Sequence, residues 1–380
     1  MMSEYLMDST KLLFYQDRLE KFFKGERIMP VTIDIGIHKS CNIRCAYCYG
    51  IKQLPSPDYI PTERLLLLAE DAKKADIKGV AIIGDGEPTM NKGLYPFVRK
   101  LKEVGVEAAV GTNGLLLNTE QIKTLTECCT YLRFNISGVD KYDKIMGAPQ
   151  NSFPRIEQII TSAVKNKGNC TIGLQSVLIP DGFSEIIPLA KKAIEWGVDY
   201  LVIKQFADGG EGMPMHFDLD DYQKAVELLK EAQAMSTDKT QIIVKWKAMQ
   251  DTINITKYGK WDFDRCIDPP FLFQISGNGD CAPCGFLFNN PDYCYGNLIT
   301  QSLYDILNSD RYWGVINKLA STPVKDVCNQ QCRHTAGNKF VTKLKEHYKG
   351  NIQEALEEMY GGKDNLKKAI NKPIKHRSFV

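Results

Sequence analysis

The stretch Cys41-Asn42-Ile43-Arg44-Cys45-Ala46-Tyr47-Cys48 contains three of the chain's 12 cysteines, separated by three and by two residues. Three thiolates at this spacing can hold one face of an iron–sulfur cube and leave its fourth iron without a protein ligand. An open metal position is typical of catalytic rather than structural sites. The alternatives are buried free thiols and a structural zinc site, although zinc usually draws on paired Cys-x-x-Cys units.

The composition is that of an ordinary globular protein. The chain has 380 residues, enough for one large domain and a smaller one, with 43% hydrophobic and 25% charged residues. The net charge of +2 favours neither a nucleic-acid partner nor an acidic membrane surface. No apolar run approaches the ~20 residues of a membrane helix, and Met1–Thr10 does not resemble a signal peptide. We therefore expect a cytoplasmic protein whose clustered thiols bind metal rather than form disulfides.

From residue 31 onward the hydrophobic pattern alternates between strand and helix. Strands are predicted at 31–37, 78–83, 106–112, 132–137, 171–178 and 200–205, and the helices between and after them at 61–77, 93–104, 119–126, 153–166, 184–196 and 218–235. This alternation predicts a parallel α/β sheet, either doubly wound or closed toward a barrel. A short amphipathic helix within 11–30 precedes it, and short strands are expected beyond about residue 245.

The motif Cys-x-x-x-Cys-x-aromatic-Cys, with Tyr47 in the aromatic position, resembles the cluster motif of the radical S-adenosylmethionine (radical SAM) superfamily. The resemblance implies that Cys41, Cys45 and Cys48 hold a [4Fe-4S] cluster whose open iron is chelated by the amino and carboxylate groups of S-adenosylmethionine. It also implies reductive cleavage to a 5′-deoxyadenosyl radical that abstracts a hydrogen atom. Among the two sheet forms it favours a partial (β/α)6 barrel with chemistry at the C-terminal strand ends.

The turn Gly84-Asp85-Gly86-Glu87-Pro88 follows the second predicted strand and resembles the superfamily's Gly-Gly-Glu-Pro stretch. In the family, backbone groups and the carboxylate there hold the amino group of S-adenosylmethionine, and glycine permits the close approach. Gly86, Glu87 and Pro88 match that pattern and are expected at the cofactor. Asp85 departs from it, because it stands in the first glycine position. The alternative for the stretch is a simple tight turn.

Three further strands end in polar residues that the resemblance places near the cofactor. Asn113 lies in a turn after the third strand that is similar to a common family turn. On the fourth strand Asn135 and Ser137 share a face, and the family often uses a polar residue there for the ribose hydroxyls. The alternative is an exposed edge strand with a solvated polar face. Gln175 on the fifth strand is a further cofactor candidate, and Lys204 ends the sixth strand as a candidate for cofactor or substrate contact.

A second set of cysteines lies in the C-terminal third of the chain: Cys266, Cys281, Cys284, Cys294, Cys328 and Cys332. A predicted strand at 271–276 and the turn Gly277-Asn278-Gly279-Asp280 form a β-hairpin with cysteines on its return arm. This arrangement resembles the twitch domain, the single-cluster relative of the SPASM domain, with spacing similar to a twitch-bearing aminocyclitol dehydrogenase.

The resemblance implies that Cys266, Cys284, Cys328 and Cys332 close an auxiliary [4Fe-4S] cluster that moves electrons. Cys281 is an alternative ligand to Cys284, because both follow the hairpin turn, and a zinc site on the same thiols is the alternative cofactor. The expected domains are a cap segment 1–30, a radical SAM partial barrel 31–240, a twitch domain 241–335 and a helical tail 336–380.

The leading hypothesis is an enzyme that dehydrogenates a small polar molecule, sugar- or aminocyclitol-like, with electrons from a flavodoxin- or ferredoxin-like donor. Cys281 and Cys294 suggest an alternative, since a thiol near the barrel mouth could return a hydrogen atom and give epimerisation; the other reading is that both are spare thiols. Modification of a ribosomal peptide is less favoured, because only about thirty residues precede the first strand. A non-catalytic iron–sulfur electron carrier would not need an open iron.

Overall fold

The structure is a computed structural model that describes residue 5 and residues 9–206, 220–328, 332–347, 351–371 and 374–380. Its strands are β1 (Thr32–Ile35), β2 (Gly79–Ile82), β3 (Glu107–Thr112), β4 (Tyr131–Asn135), β5 (Thr171–Leu178), β6 (Tyr200–Gln205), β7 (Gln241–Val244), β8 (Leu272–Ile275), β9 (Asp280–Ala282) and β10 (Gly296–Asn297). The predicted loop Ala207–Pro214 lies outside the described residues.

The α-helices alternate with these strands and continue after them. They are α1 (Gln16–Phe23), α2 (Thr62–Lys74), α3 (Leu94–Val104), α4 (Thr119–Cys128), α5 (Tyr142–Met146), α6 (Phe153–Lys165), α7 (Ile186–Trp196), α8 (Asp221–Ala234), α9 (Trp246–Tyr258), α10 (Leu303–Asn308), α11 (Asp310–Ser321), α12 (Val324–Val327), α13 (Thr335–His347), α14 (Ile352–Met359) and α15 (Lys363–Ile370). None of the helices in the described stretches is long and apolar enough to cross a membrane.

All described strands belong to one sheet, in the order β10-β9-β8-β1-β2-β3-β4-β5-β6-β7. Strands β1 to β7 are parallel and pair in chain order. The predicted α/β class is therefore confirmed, and all six predicted strands are present. One parallel strand, β7, was not predicted and extends the sheet at one edge. β8 lies within the strand predicted at 271–276, but its parallel pairing with β1 was not predicted.

The helices cover one face of the sheet because each presents an apolar stripe to it. In α3 that stripe is Leu94, Phe97, Val98 and Leu101, the i, i+3, i+4, i+7 spacing of an amphipathic helix. The matching strand residues, such as Ile33 and Ile35 of β1, belong to the same hydrophobic core. We call this helix-covered side of the sheet the outer face and the opposite side the inner face. Side chains alternate between the two faces along every strand.

Helix α9 differs from the prediction of short strands beyond about residue 245. Its sequence, WKAMQDTINITKY, contains threonines and isoleucines that are typical of strands. Met249, Thr252 and Ile255 are nevertheless buried on one side of a 13-residue helix. Tertiary packing has overridden the local preference here, as it often does for short segments without strong periodicity.

The two ends of the chain pack against the inner face. Phe379 lies in a small apolar cluster with Ala81, Ala109 and Tyr131, and its ring centroid is 5.0 Å from that of Tyr131. The ring of His376 contacts both Tyr131 of β4 (4.8 Å) and Tyr200 of β6 (6.4 Å). One residue can reach both strands because β4 and β6 flank β5, and neighbouring strands lie only about 4.8 Å apart. The partial barrel stays a prediction.

Hydrogen bonds fix this terminal segment at the N-terminal strand ends. Thr32, the first residue of β1, donates from its hydroxyl to the carbonyl oxygen of Ser378 (2.7 Å) and accepts from the backbone N–H of Val380 (3.1 Å). The ammonium group of Lys11 donates to the carbonyl oxygens of His376 and Phe379, both at 2.9 Å. The terminal segment therefore covers the end of the sheet opposite the cysteine loop.

We predict that Phe379→Ala lowers the free energy of unfolding by about 3 kcal/mol, because it leaves a cavity against Tyr131 that the small neighbours Ala81 and Ala109 cannot fill. Leu67→Ala on α2, where 53% of the side chain surface is exposed, is the matched control and should change stability by less than about 0.5 kcal/mol. Chemical denaturation measures both variants. Equal effects would show that the terminal segment adds nothing to the core.

Candidate functional site

The cysteine loop follows β1 and is held from outside by the segment around α5. The backbone N–H groups of Arg44 and Ala46 donate to the carbonyl oxygens of Gly147 (3.1 Å) and Ile145 (2.9 Å). Gly147 has a φ of +55°, and a Cβ there would lie 1.9 Å from the carbonyl oxygen of Arg44. Only glycine allows this approach. The loop conformation is therefore set by backbone contacts before any ligand binds.

The three thiols of the loop lie close enough to act on one another. Burial is the main cause of the raised pKa of Cys45, and the charges of Cys48 and Cys41 raise this pKa further. Burial likewise raises the pKa of Cys41 and that of Cys48. A positively charged metal centre would reverse these shifts, because it stabilises thiolates. The three side chains therefore fit a metal cluster, because its positive charge would stabilise thiolates that otherwise repel one another.

Tyr47 joins the loop to the fourth strand. Its hydroxyl accepts hydrogen bonds from Ser137 Oγ (2.8 Å) and Asn135 Nδ2 (3.1 Å). Ser137 Oγ also accepts from the backbone N–H of Val177 (3.0 Å), and Gln175 Nε2 donates to Asn135 Oδ1 (3.5 Å). Four of the residues predicted at the cofactor are thus brought into one network. The structure shows them bonded to each other, and their contact with the ribose stays a prediction.

Glu87 ties the ends of β2 and β3 together. Its Oε1 accepts from the backbone N–H and the hydroxyl of Thr89 (3.0 and 2.6 Å) and from the Thr112 hydroxyl (2.6 Å), and Oε2 accepts from the N–H of Asn113 (2.8 Å). Burial raises the pKa of Glu87, and these hydrogen bonds oppose the rise. The carboxylate therefore organises the predicted cofactor turn, with Pro88 opening a short 3₁₀ helix directly after it.

Asn113 and Gly86 connect that turn to the cysteine loop. Asn113 Nδ2 donates to Asn42 Oδ1 (2.8 Å) and lies 3.8 Å from Cys41 Sγ. A Cβ on Gly86 would lie 2.2 Å from the carbonyl oxygen of His38 and 2.4 Å from that of Ser40. Glycine is needed because the turn packs backbone to backbone against the residues before Cys41.

Asp85, the departure from the family motif, has a defined partner. Its carboxylate accepts from Ser276 Oγ (2.6 Å) and from the backbone N–H of Gly277 (3.2 Å to each oxygen). Burial raises the pKa of Asp85, and these two donors oppose the rise. Ser276 and Gly277 follow β8, so the residue in the glycine position links the turn after β2 to the hairpin of the C-terminal region.

The second cysteine set forms its own group. The pKa of Cys332 is raised by its hydrogen bond with Cys328, then by burial and by the nearby Cys284 and Cys266. Burial raises the pKa of Cys284 to about 12, and the charge of the nearby Cys328 contributes to the same rise. Asn338 Nδ2 donates to Cys266 Sγ at 3.4 Å. The structure thus brings together the four thiols that were predicted to hold the auxiliary cluster.

Cys281 and Cys294 are not brought to either group. Ile275 pairs with both Ile35 and Cys281, so Cys281 lies on the outer face with the core residue Ile35. Its thiol is fully buried, donates to the carbonyl of Gly279 (3.5 Å), and lies near Cys294. The role of the two thiols as hydrogen donors near the barrel mouth stays a prediction, which the position of Cys281 does not favour. The strand register, which the sequence did not reveal, turns Cys281 away from it.

Tyr49 lies between the two cysteine sets, and sequence reasoning missed it. It follows Cys48 directly, and its ring centroid is 5.2 Å from that of Phe286. A Cβ on Gly285, the neighbour of Cys284, would lie 1.9 Å from the Tyr49 hydroxyl. Burial raises the pKa of this tyrosine, followed by the charge of Cys284. Two sequence features could have indicated this contact: the aromatic residue directly after Cys48 and the glycine directly after Cys284.

Lys204 lies on the inner face near the end of β6. Burial lowers its pKa to about 8, and the cations Arg133, Lys245 and Arg333 contribute to the same shift. Arg333, which follows Cys332, donates from Nε to Asp34 Oδ2 of β1 at 3.0 Å. The sequence indicated Lys204 and the inward face of Arg133. It did not indicate Arg333, because that residue comes from a distant part of the chain.

The thiol groups can be tested against the two cofactors that the sequence left open. Among the described residues, no three Cys, His, Asp or Glu side chains are placed to hold one metal ion. Thiolate sulfur is a ligand of both zinc and [4Fe-4S] clusters. The cysteine loop supplies three thiols and the C-terminal group four, as an open and a closed [4Fe-4S] cluster would require.

Comparison with known proteins agrees with this site. The model of the radical SAM superfamily matches residues 35–193, and that of the SPASM iron–sulfur cluster-binding domain matches residues 266–334. The fold and the two thiol groups are thus those of a radical SAM protein with an iron–sulfur cluster-binding domain. The chain belongs to the radical SAM superfamily and carries a C-terminal SPASM domain. These matches support S-adenosylmethionine and two [4Fe-4S] clusters as its cofactors.

Curated relatives are similar to part of this chain at low identity. A probable GTP 3′,8-cyclase of Sulfurisphaera tokodaii is 27% identical over 205 residues, which is 53% of this chain and 63% of that protein. The Fe-coproporphyrin III synthase of Methanosarcina barkeri is 25% identical over 236 residues, 60% of this chain and 56% of that protein. The matches thus span less than two thirds of the length of these relatives.

Solved structures agree in fold. SuiB of Streptococcus suis bound to S-adenosylmethionine superposes with a TM-score of 0.63 at 17% identity, over 88% of this chain and 79% of that one. AdoMet-bound anSMEcpe gives a TM-score of 0.58 at 15% identity, over 86% of this chain and 98% of that one. At these identities the likeness concerns the fold.

We predict that Asp85→Ala lowers the free energy of unfolding by about 2 kcal/mol, because the Ser276 hydroxyl and the Gly277 N–H lose their buried acceptor. Asp85→Asn is the matched control. Its amide oxygen can accept both hydrogen bonds without a buried charge, so stability should stay within about 0.5 kcal/mol of the wild type. Denaturant titration under anaerobic conditions measures both. A loss in Asp85→Asn as large as in Asp85→Ala would contradict this assignment.

Proposed function

We propose that this chain is an oxidoreductase that reductively cleaves S-adenosylmethionine and dehydrogenates a small polar substrate, sugar- or aminocyclitol-like. On reduction, the cluster-bound cofactor supplies a 5′-deoxyadenosyl radical that takes a hydrogen atom from the substrate. The proposal depends on the position of the four-thiol group beside the three thiols of the cysteine loop, with Tyr49 in contact with the segment of each. Such a pair places an electron acceptor next to the site of hydrogen abstraction.

The residues at the strand ends divide the work of binding. In this proposal Cys41, Cys45 and Cys48 hold the cleaving cluster, and Asn113 orders the loop through Asn42. The Gly86–Glu87–Pro88 turn presents backbone groups to the amino group of the cofactor. The network of Tyr47, Asn135, Ser137 and Gln175 fixes the edge against which the ribose binds.

The second thiol group accounts for the remaining electron. Oxidising a carbinol to a carbonyl, or an amine to an imine, would remove a hydrogen atom from the carbon, a proton from the O–H or N–H group and one electron. The hydrogen atom would go to the radical that the bound cofactor supplies, and the proton to solvent. Cys266, Cys284, Cys328 and Cys332 would close all four positions of an auxiliary cluster, which suits electron transfer rather than substrate ligation. A flavodoxin- or ferredoxin-like donor would supply the electron that starts each cycle.

Epimerisation has less support than dehydrogenation. It needs a thiol that can reach the substrate radical, whereas Cys281 lies on the outer face and is fully buried. The relatives' names describe a cyclase, a synthase and a cofactor-modifying protein, so what they support in common is radical chemistry rather than one substrate. No contact among the described residues favours the alternative, modification of a ribosomal peptide.

We predict that changing Cys41, Cys45 and Cys48 together to alanine removes about four irons per chain and abolishes 5′-deoxyadenosine formation with dithionite. The other thiol group should keep its iron and sulfide, because its four ligands are intact. The matched control is Cys281→Ala with Cys294→Ala, which should keep full iron content and cleavage. Full cleavage in the triple variant, or zinc instead of iron in the remaining group, would contradict the cluster assignment.

We predict that the holoenzyme, given a panel of sugars and aminocyclitols with S-adenosylmethionine and reductant, forms a product two hydrogens lighter than its substrate. Mass spectrometry in deuterated water measures this outcome. A product of unchanged composition that carries one carbon-bound deuterium would instead establish epimerisation. If that deuterium disappeared in Cys281→Ala, the thiol donor would be identified and the dehydrogenation proposal would be wrong.

A further inference from the structure

The inner face carries a group of cations between the terminal segment and the cysteine loop. Arg133 lies on β4, Lys204 near the end of β6, Lys245 directly after β7, and Arg333 after Cys332. The charges of the other three act on Lys204. Four basic side chains from four separate parts of the chain therefore converge on one region of the inner face.

Two of these cations have no acidic partner among the described residues. Arg333 does have one, because Asp34 of β1 accepts from its Nε at 3.0 Å. Asp268, whose charge also reaches Arg333, is itself bonded to His334 Nδ1 at 2.6 Å. Neither Arg133 nor Lys204 has a carboxylate partner in the described stretches, where the recorded ion pairs lie elsewhere.

Strand alternation explains why Arg133 and Lys204 lie on the same face of the sheet. Arg133 pairs in register with Gly173 and Gly173 with Tyr200, whereas Lys204 pairs with Val177, nearer the C-terminal strand ends. A Cβ on Gly173 would lie 2.2 Å from Tyr200 Cζ, so the tyrosine ring lies across the glycine. The Arg133 guanidinium is 5.8 Å from the ring centre of Tyr131 and bonds to Tyr200. Two aromatic rings thus contact Arg133, and its charge acts on Lys204.

Arg333 shows that this region is a space rather than a packed core. Its side chain keeps 44% of its surface exposed, although its Nε is bonded to Asp34, which is 10% exposed on β1. A guanidinium held at one edge and open on the rest presents free N–H donors. Such donors suit two-point binding of a carboxylate or phosphate.

We infer that Arg133, Lys204 and Arg333 form a binding site for an acidic group, a carboxylate or phosphate, carried by the substrate. The inference rests on the proposed function, because it takes the inner face as the substrate side. Like charges held in a poorly solvated space cost free energy, and a bound anion offsets that cost. The cofactor's own carboxylate is accounted for by the open iron of the cleaving cluster, so this site is assigned to the substrate.

The test uses radioactive inorganic phosphate as the probe in equilibrium dialysis of the reconstituted full chain. We predict saturable binding of one phosphate per chain that S-adenosylmethionine does not displace. Arg133→Gln and Lys204→Gln should each weaken binding roughly tenfold to a hundredfold, because each removes a charge-assisted hydrogen bond. Lys230→Gln on α8, whose side chain is 60% exposed, is the matched control and should bind like the wild type.

Three results would overturn the inference: equal phosphate binding by Lys204→Gln and wild type, an adventitious ion only at the surface, or displacement by S-adenosylmethionine. The last result would assign the cations to the cofactor's carboxylate. If a variant fails to fold, trace acetylation of the wild type replaces it: phosphate should slow acetylation of Lys204 and leave that of Lys230 unchanged. Equal acetylation rates with and without phosphate would overturn the inference.

The same preparations separate this inference from the proposed function. Formation of 5′-deoxyadenosine reports cofactor cleavage without any acidic substrate. Cleavage without phosphate binding would remove the anion site and leave the proposed function standing. Phosphate binding without cleavage would leave the anion site standing and contradict the proposed function.

Discussion

The pairing of β1 with β8 is the constraint on which the site depends. Ile35 and Ile275 are register partners, and the N–H of Gly36 donates to the carbonyl of Ile275 at 2.8 Å. The two strands are parallel, so their C-terminal ends meet at the same edge of the sheet. The cysteine loop follows one end, and the hairpin that leads to Cys284 follows the other. Backbone hydrogen bonding thus sets the distance between the two thiol groups.

Side chains at that edge then strengthen the junction. Asp85 occupies a position where the family has glycine, and its carboxylate fixes the turn after β8. Tyr49 fills the gap above Gly285. Both contacts connect the residues of one thiol group to those of the other. In the proposed reaction a rigid connection would matter, since the rate of electron transfer depends steeply on the separation of the centres.

Local patterns in the sequence were sufficient for the six predicted strands and for the spacing of Cys41, Cys45 and Cys48, because each depends on short-range periodicity or spacing. The set Cys266, Cys284, Cys328 and Cys332 came from the resemblance to a known domain. Local patterns could not reveal that β8 pairs with β1, since strand pairing across more than two hundred residues leaves no local signal. The face of Cys281 depends on that register, and Arg333 reaches β1 only through it. The errors about the site therefore have one physical origin, whereas helix α9 reflects packing that overrides local preference.

The terminal segment places His376 beside the cation group. His376 is buried against Tyr131 and Tyr200, and burial together with Lys11, Lys375 and Arg133 lowers its pKa to about 3. The imidazole is therefore neutral near pH 7 and adds no charge. The segment covers the N-terminal strand ends, so a substrate reaches the inner face from the side of the cysteine loop. An acidic group held at Arg133 would leave the rest of the molecule pointing back toward that loop, where hydrogen abstraction takes place. A charge far from the reacting carbon would thus supply the orientation that the radical step needs.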